Sequence, residues 1–97
     1  MQPPLAMPTD GSVLIHEFST RVLSEDGRQW TARAHGRRRD GDWIGWLAFV
    51  ADDGTEIATD RETTQPDRKA LDYWASGLEP IYLDGALTRA LEPLPAR

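Results

Sequence analysis

The chain contains no cysteine. A disulfide framework, a thiolate nucleophile and any Cys-based zinc or iron–sulfur centre are therefore excluded, and stability has to come from packing. Lysine is nearly absent, with Lys69 standing alone beside ten arginines. The only histidines, His16 and His35, fall at no metal-ligand spacing, and neither GxxxxGK(S/T) nor GxGxxG occurs. No metal site and no cofactor are expected. Nucleophile–base pairs and carboxylate pairs at diagnostic spacing are lacking too, so the sequence points away from an enzyme. No apolar run approaches the ~20 residues of a membrane span. The stretch Met1–Pro8 lacks the basic and apolar regions of a signal peptide, which favours a cytoplasmic protein.

What is present suits one folded domain. Its 97 residues are 39% hydrophobic and 28% charged, with four tryptophans, a composition that buries a core rather than staying disordered. Proline-rich ends suggest a flexible lead-in over 1–11, a domain over 12–92 and a tail over 93–97. The net charge is −5. Residues 1–50 balance six basic against six acidic side chains, so the whole excess lies in the second half. That field repels polyanions, and a nucleic-acid contact would have to rest on one local patch, Arg37, Arg38 and Arg39.

Five Asp-Gly dipeptides, at Asp10, Asp26, Asp40, Asp53 and Asp84, punctuate the chain. Asp-Gly tolerates the positive φ of tight hairpin turns, and the segments between them are rich in Val, Ile, Thr, Phe and Trp. This predicts strands over 12–23, 28–36, 42–51 and 55–59 in an antiparallel meander. A three-residue loop at Glu25-Asp26-Gly27 sets Val22 opposite Trp30 and Phe18 opposite Ala34. The same loop form at Arg39-Asp40-Gly41 sets Ala34 against Trp46, Ala32 against Ala48 and Trp30 against Val50, pairing large with small. A two-residue Asp53-Gly54 turn then brings Ile57 to that face.

Thr64-Gln65-Pro66-Asp67 reads as an N-cap threonine with an acid three residues on, opening a helix over 65–76 that Gly77 ends. A second apolar stretch from Ile81 to Leu91 follows Pro80 and stops before Pro93, and it also reads as helical despite Gly85. The expected architecture is a two-layer α+β fold, a four-stranded antiparallel meander with both C-terminal helices on one face.

In this register the third strand is apolar on both sides. Trp43, Leu47 and Phe49, with Val13 and Ile15 of the first strand, would form a reverse face of the few-hundred-Å² size that monomers rarely leave bare. The chain itself can cover this face, with the N-terminal segment or the second helix wrapping round the edge. Otherwise these five residues are the candidate interface of a non-catalytic interaction module, with a homodimer as its favoured contact and another protein partner or a ligand as a further occupant. The alternative is single-stranded nucleic-acid binding by Arg37, Arg38 and Arg39 with a neighbouring tryptophan. In element order the predicted meander and helix resemble the single-stranded-DNA-binding Whirly fold, a resemblance that carries no shared motif and implies only that alternative.

Overall fold

In the computed structural model, residues 11–92 are described. Most of the expected lead-in and all of the tail, 1–10 and 93–97, lie outside them. The elements run β1 (Val13–Glu17), β2 (Val22–Leu23), β3 (Gln29–Arg39), β4 (Asp42–Ala51), β5 (Glu56–Ala58), β6 (Thr63–Gln65), α1 (Arg68–Ser76) and α2 (Pro80–Leu91). The fold is α+β: one antiparallel sheet in the order β1-β3-β4-β5, with β2 also on β3 and β6 also on β4, and two helices after it. The meander is the expected one with both outer strands interrupted. No described helix is long and apolar enough to cross a membrane.

The three hairpins differ from one another. At the first, Ser24 N–H donates to the Arg28 carbonyl across Glu25-Asp26-Gly27, Gly27 sits at φ +89°, and Val22 faces Trp30. This is the three-residue loop the sequence suggests. Phe18 does not sit opposite Ala34, because the chain bends between β1 and β2; His16 takes that place and Phe18 N–H reaches the Ala32 carbonyl.

The second hairpin overturns the expected register. Asp40 and Gly41 both adopt positive φ, +52° and +88°, the signature of a two-residue type I′ turn. Ala34 therefore faces Leu47, Ala32 faces Phe49 and Trp30 faces Ala51. One residue less in the turn moves every β4 side chain to the other face. The third hairpin is corrected the opposite way. Ala51 and Thr55 close a three-residue loop ending in Gly54, and Ile57 pairs with Phe49 rather than Val50.

Helix docking explains why this register wins. Gly36 and Gly45 are directly paired across β3 and β4, leaving a trough that Leu71 of α1 fills. A Cβ at Gly36 would lie 2.4 Å from Leu71 Cδ2, and one at Gly45 would lie 2.7 Å from Leu71 Cδ1. In the register expected from sequence Gly36 would meet Ile44, and the trough would be blocked. Leu71 and Ala75 are fully buried against the sheet. Helix α2 covers the rest of this face, with Leu83, Ala86 and Leu87 joining Trp30, Leu47 and Phe49 in one core. Trp30 also keeps its indole N–H satisfied, donating to Ser24 Oγ at 2.9 Å.

Helix α1 starts later than the sequence suggests. Thr63–Gln65 is strand, paired with Trp43, Ile44 and Gly45, and the N-cap is Asp67, whose side chain accepts from Ala70 N–H at 2.8 Å. Cross-strand pairing along β4 prevails over the threonine cap. Helix α2 begins at Pro80, where the absent N–H costs nothing in a first turn.

Candidate functional site

Both helices pack on the face that carries Trp30, Leu47 and Phe49, and no described element lies over the other face of the sheet. There β3 presents Thr31, Arg33, His35, Arg37 and Arg39, and β4 presents Asp42, Ile44, Trp46, Ala48 and Val50. Leu14 of β1 faces His35 and Glu17 faces Arg33, while Glu56 of β5 faces Val50. At the centre His35 and Trp46 are stacked, with ring centroids 6.1 Å apart and planes 14° from parallel. Ser12, Glu56 and Ala58 complete the border of a shallow depression around them. Ile44 and Ala48 stand opposite Arg37 and Arg33 and are buried on this face, 7% and 5% exposed.

The electrostatics of this face are mixed. Burial pushes the His35 pKa below the usual 6.5 and the nearby Arg33 charge pushes it the same way, against a pull from Glu56, which favours the neutral ring. Arg33 Nε is 3.0 Å from Glu17 Oε1. The hairpin-tip end of the face carries Arg37, Arg39 and Asp42, and the far end carries Glu17, Arg33 and Glu56.

The interface residues expected from sequence fall elsewhere. Leu47 and Phe49 have no exposed surface, because they are the floor of the helix-covered core. Trp43 is half-buried on the same face, with the Arg68 guanidinium 5.5 Å over its ring. Ile15 packs against the core, and Val13 is exposed at 36% at the sheet margin. The expected bare patch of Trp43, Leu47, Phe49, Val13 and Ile15 is therefore largely the inside of the protein. Residues assigned to the core, Trp46, Ala48 and Val50, lie on the uncovered face instead.

The arginine cluster is divided by strand alternation. Arg37 and Arg39 belong to the uncovered face, and Arg38 faces Trp43 on the other side. The two histidines are separated in the same way, since His16 lies edge-on to Phe18, 4.6 Å between centroids, on the helix side. Among the described residues no group of three or more His, Cys, Asp or Glu side chains is placed to hold a metal ion.

Sequence reasoning missed one buried polar cluster. Glu62, between β5 and β6, has a side chain only 5% exposed. It accepts from Tyr82 Oη at 2.5 Å and from Arg89 at 2.6 and 3.1 Å. Burial pushes its pKa up, but the hydrogen bonds from Arg89 and Tyr82 outweigh burial and hold the carboxyl below its ordinary 4.5. A carboxylate held ionised in this way is a poor proton donor. It ties α2 to the outer strand. The 27-residue separation of Glu62 and Arg89 leaves no local pattern by which to find it. Neither a family model, nor a curated protein, nor a solved structure matches this chain. The functional reading rests on the geometry alone.

Proposed function

We propose that this domain is a non-catalytic, cytoplasmic interaction module that pairs with a second copy of itself through the uncovered sheet face. The observation that carries the reading is the placement of Trp46, Val50, Leu14 and His35 on a sheet face over which no described helix lies. Face-to-face packing with strand directions reversed, under a two-fold axis, sets the Arg37–Arg39 end of one copy against the Glu17–Glu56 end of the other. Arg39 of one copy would then lie toward Glu56 of the other, a complementarity that favours this orientation. Trp46 and His35 would meet their own counterparts at the centre, where aromatic anchors contribute most.

Light scattering coupled to size-exclusion chromatography, across a wide concentration range, tests this. The expected result is a dimer mass for the native chain and a monomer mass for Trp46→Ser with an unchanged far-UV spectrum. A native chain that stays monomeric at its solubility limit overturns the reading.

A second reading has its own favouring observation: Arg33, His35, Arg37 and Arg39 alternate along β3 directly beside Trp46. That sets arginines on either side of a His35–Trp46 stack, a mix of cations and stacking rings of the kind single-strand binders use. Oligonucleotides should then quench tryptophan emission, with quenching that falls steeply as salt rises. Absence of quenching at low salt removes this alternative.

A further inference from the structure

A second surface lies between the first hairpin and the C-terminal end of α2. Leu83, Leu87 and Leu91 follow one another at four-residue intervals on α2; the first two are buried, and Leu91 is 39% exposed where the stripe runs past the core. Across from it stands Leu23, 63% exposed. Leu23, Leu87 and Leu91 form the apolar part of a groove of about 650 Å³. Its rim carries Glu25, Asp84 and Glu92, and no lysine, arginine or histidine lines it. The fourth carboxylate, Asp26, is engaged by Ser24 and Arg28 and shapes the turn. The last carbonyls of α2 add the negative end of the helix dipole. Arg89, the basic residue of that last turn, is bound to Glu62 and offsets little of it.

We propose that this groove docks a basic amphipathic helix of another protein, its leucines continuing the α2 stripe and its flanking Lys or Arg meeting the carboxylate rim. A second copy of this chain is the poorer occupant. Its net charge is −5, and a symmetric contact would press one acidic rim against another.

The test uses a fluorescein-labelled helical peptide of leucine and lysine, a control peptide with serine at every leucine, and anisotropy titrations of the full chain. The leucine peptide should bind. The triple variant Glu25→Gln, Asp84→Asn, Glu92→Gln should lose about tenfold in affinity and most of the salt dependence. Leu23→Ser with Leu91→Ser should lose affinity equally at low and high salt. An equal charge change elsewhere, Asp40→Asn, Asp60→Asn, Glu79→Gln, should stay within about twofold, which separates the groove from the general attraction of an acidic protein. Trp46→Ser should bind the peptide as the native chain does, so failure of the dimer reading would not touch this one. The proposal is overturned by equal binding of the serine peptide, by an equal loss in the off-groove variant, or by no binding at all. Tighter binding by Leu94→Ser overturns it as well, because the chain's own tail would then be the occupant.

Discussion

The two faces of β4 have nearly the same composition, yet both helices pack on one of them; on the other, Ile44 and Ala48 are still buried. Trp43, Leu47 and Phe49 line the helix-covered side with Gly45 between them; Ile44, Trp46, Ala48 and Val50 line the uncovered side. Hydrophobicity alone does not separate them, and a register argued from side-chain size favours the wrong one. What separates them is the absence of two side chains. Gly36 and Gly45 leave a trough, and only that side of the sheet admits Leu71 of α1 at close range. A helix settles where backbone is accessible rather than where apolar area is greatest, because close packing rewards fit more than surface.

The contrast can be broken most strongly at Phe49. Phe49→Ala should cost about 3–5 kcal/mol, a large share of the stability of a domain this size. Trp46→Ser should lower the denaturation midpoint by a much smaller amount while acting on association. Urea unfolding of both variants measures the asymmetry, and equal losses would mean that the two faces are equally enclosed.

The glycine trough comes next. Gly45→Ala should destabilise by about 1–3 kcal/mol through overpacking against Leu71. Leu71→Ala is costly by itself, but the double variant should lose less than the sum of the two, since the closest contact is the end of the Leu71 side chain. Gly36→Ala should be rescued less, because a Cβ there also meets the Ile44 carbonyl oxygen at 2.9 Å. Thermal melts of the single and double variants give the coupling.

A smaller effect is expected at the polar tie. Glu62→Gln should cost about 1.5 kcal/mol, at the low end for a charged hydrogen bond because Arg89 remains 52% exposed. The Glu62 pKa is depressed on folding, so its contribution is fully present above the ordinary 4.5 and is lost as pH falls through the folded-state value. Denaturation midpoints followed downward from neutral pH should fall less in the variant than in the native chain across that window.

The smallest change has the opposite sign. Gly85 is exposed within α2 and an added Cβ meets nothing within 4 Å, so Gly85→Ala should raise stability by about 0.5–1 kcal/mol, seen as a higher melting temperature.

Much of the fold was legible because its signals are local. Asp-Gly dipeptides marked all three hairpins, Gly77 marked the end of α1, and Pro80 the start of α2. The first hairpin's loop length was readable from Val22 and Trp30, because the competing two-residue loop would have set Ala32 against Arg21. The second was not, since each side of β4 offered a plausible apolar set. The candidate site moved with it: Leu47 and Phe49 left the surface, and Trp46 and His35 took their place. Glu62 was hidden for another reason, that its partners Tyr82 and Arg89 reach it only through the docking of α2.

By itself the sequence determined the class of the protein, an antiparallel meander followed by two helices, because turn chemistry and helix periodicity act over a few residues. Tertiary structure alone decided which side of β4 is inside. That choice depends on how Leu71 meets two glycines brought together from different strands, a complementarity of shape that exists only once the chain has folded.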